Sequence, residues 1–190
     1  MQEKAAYDLI VIGGSAGSVG AIVKLIPSLA PDFKIPIILV LHRRAESKEG
    51  FISEILQHKS NLHIKEAEEK EIIDPSSVYI APADYHLLIE NDFSFSLDAS
   101  EKILFSRPSI DVTFESAAEK YGEKLIGILL TGANHDGAKG MTEIAQQGGL
   151  TIAQDPETAE IATMPLAAIK TGKVDKVLKL EEIIDFLNSL

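Results

Sequence analysis

The order of apolar and amphipathic segments along the chain constrains the fold more than any other feature. Short apolar runs of strand length alternate with segments whose apolar residues recur at helical spacing. The run at residues 35–41 is apolar throughout, as expected for a strand that is covered on both faces. This alternation predicts an α/β fold with a doubly wound, mostly parallel sheet flanked by helices on both faces.

The individual elements are predicted from the same pattern. We predict strands at residues 7–12, 35–41, 78–81, 125–130, 151–153 and 177–178, and helices at 19–29, 48–58, 109–121, 138–147, 165–172 and 181–190. Residues 86–90 and 93–97 differ, because apolar and polar residues alternate there on either side of Asn91 and Asp92. We expect this segment to form an inserted antiparallel β-hairpin.

The composition limits the function classes that are open to the chain. With 190 residues, we expect one domain over residues 1–190. The absence of cysteine excludes thiolate nucleophiles, thiolate metal sites and disulfides. A net charge of −11 and the lack of a basic, aromatic-rich stretch argue against nucleic-acid binding. No apolar run is long enough to cross a bilayer and no signal peptide is visible, so we expect a cytoplasmic protein without membrane insertion.

The segment GGSAGS, residues 13–18, directly follows the first predicted strand. Glycines at this place serve either a phosphate-binding loop or a sharp turn that exposes one side chain. No register fits the dinucleotide fingerprint and no Walker-type phosphate loop is present, which argues against a nucleotide-binding module. Gly13, Ser15 and Gly17 do fit the G-x-S-x-G pattern of a nucleophile elbow. From these residues alone, Ser15 as a nucleophile and a plain glycine-rich turn are equal alternatives.

A nucleophilic serine needs a base and a carboxylate that orients the base. His42 directly follows the second predicted strand, beside the Ser15 turn, which favours a catalytic base over a histidine bonded to a backbone carbonyl. Asp136 also follows a predicted strand, either as the orienting carboxylate or as the N-cap of the next helix. Asp84 and Asp155 are rival carboxylates at strand ends, with turn roles as the alternative. The remaining histidines are interpreted as surface or structural residues: His58, His63, His86 and His135.

Several segments together resemble the catalytic domain of the chemotaxis protein-glutamate methylesterases, the CheB-type enzymes. In the order that this family shows, they are DLIVIGGSAGS, GFISEI, VYIAPADYHLLI, RPSIDVTFESAA, IGILLTGANHDGAKGM, GGLTIAQDPETA and MPLAAI, and they cover nearly the whole chain. The resemblance implies a serine triad in which Ser15 is the nucleophile, His42 is the general base and Asp136 orients His42.

The resemblance also implies a reaction and a partner. The reaction is hydrolysis of glutamate γ-methyl esters on the cytoplasmic helices of methyl-accepting chemoreceptors with release of methanol, and deamidation of receptor glutamines is a related activity. No metal or organic cofactor is implied. The receiver domain that usually precedes the family's catalytic domain has no counterpart before the first predicted strand, so we expect any receiver-domain regulator to be a separate protein.

Four more residues are candidates for the substrate side of the site. The backbone N–H groups of Ala16 and of the loop near Ala133 are the expected oxyanion donors. Ala133 itself stands where the family usually has methionine. Arg43 and Arg44, beside His42, are expected either to contact the substrate as a local positive patch or to lie on a solvated loop.

Two other functions stay open at this point. One is an esterase or amidase with the same triad but a small-molecule or non-chemotactic protein substrate. The other is a catalytically decayed domain that only binds a partner. Comparing hydrolysis of a methylated receptor fragment with hydrolysis of generic esters distinguishes receptor demethylation from an esterase with another substrate. Measurable turnover of any ester excludes a decayed binding domain.

Overall fold

Strands and helices alternate along the computed structural model, which describes residues 7–42 and 50–190. The strands in these ranges are β1 (Leu9–Gly14), β2 (Ile37–Leu41), β3 (His63–Glu66), β4 (Ser77–Ile80), β5 (His86–Ile89), β6 (Phe95–Asp98), β7 (Leu125–Leu129), β8 (Leu150–Gln154) and β9 (Lys176–Leu178). The helices are α1 (Ser18–Leu25), α2 (Phe51–Gln57), α3 (Ile110–Tyr121), α4 (Ala138–Gln146), α5 (Thr163–Lys170) and α6 (Leu180–Asn188).

Within the described ranges, seven strands form one parallel sheet in the order β3-β4-β2-β1-β7-β8-β9. Strands β5 and β6 pair antiparallel in a separate two-stranded sheet. Strands β2 to β4 lie on one side of β1 and strands β7 to β9 on the other, so the order reverses between β1 and β7. Ligands of such sheets bind at the carboxyl ends of the strands at this switch point. The predicted doubly wound sheet and its antiparallel hairpin are confirmed.

Two apolar cores lie on the two faces of the sheet. Helices α1, α2 and α6 cover one face, and helices α3, α4 and α5 together with the β5–β6 hairpin cover the other. The side chains of β1 alternate between them, with Ile10 and Ile12 in the first core and Leu9 and Val11 in the second. Both faces of the central strands are therefore dry, which explains their continuous apolar sequence.

The observed boundaries differ from the predicted ones at the functional end of the sheet. Strand β1 ends at Gly14 and not at residue 12, because Gly13 and Gly14 continue the pairing with β2. The edge strand β3 was not predicted, since only its Ile64 is both apolar and buried. The first residues of the helix predicted at 48–58 lie outside the described ranges, and α2 begins at Phe51.

None of the helices in residues 7–42 and 50–190 is long and apolar enough to cross a bilayer.

Candidate active site

The turn after β1 has the geometry of a strand-to-helix elbow. The backbone N–H of Ser18 donates to the carbonyl oxygen of Ser15 at 3.0 Å, and the Ser18 hydroxyl donates to the same oxygen. Gly17 adopts a left-handed conformation with φ of 80°, which favours glycine. A Cβ added there would lie 2.8 Å from the Cβ of Glu160, so the turn leaves no room for a side chain. Ser15, half-buried, stands at the apex of this turn.

Ser15 and His42 occupy neighbouring positions at the ends of two paired strands. Gly14 of β1 is in register with Leu41 of β2, and the backbone N–H of His42 donates to the Gly14 carbonyl at 3.1 Å. The next residues along the two strands are Ser15 and His42. Parallel strands lie about 4.8 Å apart, so the backbones of these two residues are separated by roughly one strand spacing. The sheet therefore brings together two residues that are distant in the sequence.

His42 and Asp136 form a short, buried contact. The Nε2 atom of His42 lies 2.7 Å from Oδ2 of Asp136, and the two side chains are 10% and 0% exposed. An ionised carboxylate accepts, so Nε2 carries the hydrogen and the Nδ1 atom keeps its lone pair. His42 is thus held in the tautomer whose Nδ1 can accept a proton, which is what a general base requires.

Asp136 caps the N-terminus of helix α3. Its carboxylate accepts hydrogen bonds from the Ser109 hydroxyl at 2.9 Å and from the backbone N–H groups of Ile110 at 2.7 Å and Asp111 at 3.0 Å. Burial acts to raise the pKa of Asp136, but the hydrogen bonds from His42 and from the two backbone N–H groups outweigh it and hold the pKa below its usual value. The carboxylate beside His42 is therefore ionised in the working pH range.

The alternative that Asp136 caps the helix following it is wrong. Gly137 is the N-cap residue of α4, and glycine has no side chain that could accept from the first N–H groups of the helix. Instead, Oδ1 of Asp111, in the first turn of α3, accepts from the backbone N–H groups of Gly137 at 2.9 Å and Gly140 at 2.7 Å. Each helix is capped by a carboxylate from the start of the other, because α3 and α4 present their N-termini side by side.

The two carboxylates differ in electrostatic character. Burial raises the pKa of Asp111 to about 6, the N–H of Gly140 opposes this rise, and the nearby charge of Asp136 adds to it. Asp111 does not contact His42, whereas Asp136 does. Asp136 is therefore the ionised member that orients the imidazole, whereas burial, with a smaller contribution from the Asp136 charge, raises the pKa of Asp111.

The free nitrogen of His42 faces two polar side chains. Its Nδ1 lies 3.2 Å from the Ser106 hydroxyl and 3.4 Å from the Nδ2 atom of Asn134, and both groups can donate to it. Among the described residues, the Ser15 hydroxyl forms no hydrogen bond, so it does not yet contact the imidazole. A serine hydroxyl and a base are often not yet aligned before substrate binds.

Thr131 joins the segments around the elbow. It lies just after β7, and its carbonyl accepts from the backbone N–H of Ser15 at 3.0 Å, while its hydroxyl lies 3.0 Å from the carbonyl of Ala16. Its own N–H donates to the buried Gln154 side chain at 2.9 Å. Sequence reasoning did not select Thr131, although a polar residue directly after an apolar strand is a usable signal.

His86 is buried and supports the site from behind, as its structural interpretation predicted. Its Nδ1 accepts from the backbone N–H of Ser109 at 3.1 Å, and its Nε2 lies 3.0 Å from the Glu101 carbonyl. Ser109 in turn donates to Asp136. His86, Ser109 and Asp111 were not selected as site residues, although the block RPSIDV contains two of them.

The predicted oxyanion donors lie on the rim of the site. Ala16 and Ala133 are both exposed, and their backbone N–H groups donate no hydrogen bond to another residue in the described part of the chain. They are therefore available to a ligand. The predicted substrate contacts Arg43 and Arg44 lie outside the described residues.

The rival carboxylates have other partners. Asp155 accepts from the backbone N–H of Glu157 at 3.0 Å, which is a turn role. Asp84 lies in a left-handed turn, 3.7 Å from the guanidinium of Arg107. Neither contacts His42. In residues 7–42 and 50–190, no three His, Asp or Glu side chains are grouped so that they could hold a metal ion.

Comparison with protein families matches residues 10–187 to the CheB methylesterase family. A Leptospira interrogans protein, provisionally named a protein-glutamate methylesterase/protein-glutamine glutaminase, is 53% identical over 179 residues, which cover 94% of this chain and 92% of that protein. A Pyrococcus horikoshii protein, named protein-glutamate methylesterase/protein-glutamine glutaminase, is 37% identical over 177 residues, which cover 92% of this chain. The matched region spans only 48% of that relative.

Among solved structures, the chain is similar to the crystal structure of the Thermotoga maritima CheB methylesterase catalytic domain. The TM-score is 0.92 at 37% sequence identity, and the match covers 97% of this chain and 98% of that one.

Proposed function

This chain belongs to the CheB methylesterase family, and we propose that it is a serine esterase that hydrolyses the γ-methyl ester of glutamate side chains in a protein substrate. Ser15 is the nucleophile, His42 the general base and Asp136 the residue that orients His42. The observation that carries the proposal is the 2.7 Å contact between His42 and Asp136, whose carboxylate also accepts three other hydrogen bonds. His42 follows strand β2, which pairs with the strand that ends next to Ser15.

Acylation begins when Nδ1 of His42 removes the hydroxyl proton of Ser15. The serine oxygen attacks the ester carbonyl, and the negative charge that develops on the carbonyl oxygen is stabilised by the N–H groups of Ala16 and Ala133. Protonated His42 gives its proton to the departing methoxide, which leaves as methanol. The product is a γ-glutamyl ester of Ser15.

Deacylation repeats the sequence with water. His42 removes a proton from water, hydroxide attacks the acyl carbon, and the proton returns to the Ser15 oxygen. Glutamate and free enzyme result. An amide substrate follows the same steps, with ammonia as the leaving group, which is consistent with the glutaminase part of the relatives' names.

The substrate that we propose is the methylated cytoplasmic helix of a chemoreceptor, which places the enzyme in the cytoplasm. The proposal draws on the family and on the names of the relatives, methylesterase and glutaminase alike.

Methanol release from a helical peptide that carries a glutamate γ-methyl ester tests this function. Ser15→Ala is expected to reduce kcat by at least about 10⁴-fold, because triad members act as a unit. Ser28→Ala is the matched control, since its hydroxyl bonds to the Lys24 carbonyl, outside the site, and it is expected to retain full activity.

Three results would contradict the proposal. Activity of Ser15→Ala within about tenfold of the wild type would exclude Ser15 as the nucleophile. Turnover of generic esters without turnover of the methylated peptide would favour a same-triad esterase with another substrate, and no turnover at all would favour a decayed binding domain.

A further inference from the structure

An exposed apolar turn lies beside the active site. It consists of Ile103, Leu104 and Phe105, which we call the apolar tip. Phe105 is 94% exposed, Leu104 49% and Ile103 41%. Single exposed apolar residues are common, but three consecutive ones at the end of a turn are typical of a contact surface for another molecule.

The backbone of the apolar tip makes these residues still more unusual. Ile103 and Ser106 exchange two backbone hydrogen bonds, at 3.1 Å and 2.8 Å, so Leu104 and Phe105 form a two-residue turn. Both have positive φ, 47° and 65°. Turns of this type strongly favour asparagine and glycine. In the left-handed region the Cβ of most other residues lies too close to the following carbonyl oxygen. A residue choice that opposes the local turn preference indicates a functional requirement.

The residues just after the apolar tip fix it beside the catalytic residues. The Ser106 hydroxyl lies 3.2 Å from Nδ1 of His42. The Arg107 guanidinium donates to the carbonyls of Ala99 at 2.7 Å and Ser100 at 2.6 Å, which closes the loop at its base. The tip therefore projects from the rim of the site at a defined position next to the base.

We propose that the apolar tip is a docking surface for the apolar side of the helix that carries the esterified glutamate. The inference rests on the proposed function, and it adds where the protein substrate binds. A helix is about 10–12 Å across, so a helix whose ester reaches Ser15 must also lie on the rim. Apolar residues three or four positions from the glutamate share its side of the helix and are placed to meet the tip.

Net charge does not guide such a helix to the site. The chain has a net charge of −11, so long-range attraction does not bring an acidic helix to this surface. A short-range apolar contact is one source of binding energy that charge repulsion leaves intact. Full burial of the side chain of Leu104 or Phe105 against the helix would strengthen binding by at least about tenfold for each residue.

The test removes the apolar surface while keeping the turn. The double variant Leu104→Asn, Phe105→Gly places favoured residues at both positive-φ positions, so thermal stability should be equal to or above that of the wild type. We expect kcat/KM for a helical methyl-ester peptide to fall at least about tenfold, mainly through KM, because only binding is affected. A small ester such as p-nitrophenyl acetate reports on the catalytic centre, and its turnover should change less than about twofold.

Phe93→Asn is the matched control. Phe93 is also an exposed aromatic residue with positive φ, but it contacts Tyr121 and lies near Tyr7 and Pro36, at the opposite end of the strands. Its replacement should leave both activities unchanged.

The outcomes are distinguishable. Unchanged peptide turnover in the double variant would overturn the docking proposal, and equal loss with both substrates would also overturn it, because the turn would then support the catalytic centre. Loss of self-association in sedimentation, without a change in peptide KM, would assign the tip to a second copy of the chain and overturn the proposal. A wild type that hydrolyses only the small ester would contradict the proposed function itself.

Discussion

The orientation of one imidazole depends on a carboxylate that performs two tasks. Asp136 fixes His42 through a 2.7 Å contact and also caps helix α3 through the Ser109 hydroxyl and two backbone N–H groups. Removing it would therefore disturb both the base and the helix. Asp111 offers a cleaner substitution, since it caps α4 without contacting His42.

The pH dependence of stability should contain a contribution from Asp111. Burial raises its pKa in the folded state to about 6, above the value of about 3.9 expected in the unfolded chain. Between these values the folded state binds more protons, so stability falls as the pH rises from about 4 to about 6. Asp111→Asn keeps an oxygen that can accept from Gly137 and Gly140 and cannot ionise.

Urea unfolding of both proteins at about pH 4.5, 5.5 and 7 measures this contribution. The free energy of unfolding of the wild type, relative to that of Asp111→Asn, should decrease across the window by on the order of 2 kcal/mol. A difference that stays constant with pH would contradict the assignment.

The polar residues of the site show what the sequence could predict at this scale. The sequence could identify Ser15, His42 and Asp136 as site residues, because each comes after a predicted strand of the same sheet. Ser109 and Asp111 were not, since polar residues at a helix start are normally interpreted as caps of their own helix. Here Asp111 caps the neighbouring helix α4 and the Ser109 hydroxyl donates to Asp136, and both relations depend on how α3 and α4 pack.

At the level of elements, the close approach of α3 and α4 holds the mutual capping in place. A Cβ added at Gly140 of α4 would lie 2.5 Å from the Cβ of Phe114 and 3.3 Å from the Cα of Asp111, both on α3. The contact with the Asp111 backbone means that the helices must move apart to accept a side chain. The absence of a side chain at residue 140 thus sets the spacing on which both caps depend.

Gly140→Ala should destabilise the protein by about 1–3 kcal/mol through overpacking, despite the better helix propensity of alanine. Gly20→Ala is the matched control, because Gly20 lies in α1 with no atom within 4 Å of an added Cβ. That substitution should stabilise by about 0.5–1 kcal/mol. Thermal or urea unfolding of the two variants measures these changes in stability. An equal change in both variants would contradict the role of packing at Gly140.

The elements themselves were predictable where periodicity was strong. The hairpin and the central strands are indicated by alternation and by continuous apolar runs. The end of β1 was predicted too early, because Gly13 and Gly14 suggest a turn. In the structure they extend the strand, and a Cβ at Gly13 would lie 2.5 Å from Ile110. The missing side chain of Gly13 makes room for α3, which only the tertiary structure reveals.

For the molecule as a whole, the order of strands places the site. The switch between β1 and β7 opens a crevice at the carboxyl ends, and the residues after β1, β2 and β7 meet there. The class of fold could be predicted from alternation, but this order could not. It depends on which of several right-handed crossovers buries the most apolar surface, and the local pattern does not encode that choice.

The net charge of −11 should make kcat/KM depend on ionic strength. With an acidic methyl-ester peptide, kcat/KM should rise as the ionic strength increases from about 20 to about 200 mM, because salt screens the repulsion between enzyme and peptide. The same peptide with its remote acidic residues replaced by lysine should show the opposite slope. Stopped assays of methanol release measure both, and identical slopes would show that overall charge does not influence encounter.

Covalent labelling tests the triad most directly. An organophosphonate that reacts with activated serines, combined with intact-mass and peptide mass spectrometry, should label Ser15, and His42→Ala should slow the labelling by at least about 10³-fold. Label on Ser106, whose hydroxyl also faces Nδ1 of His42, or a labelling rate of Ser15 that does not depend on His42, would contradict the account.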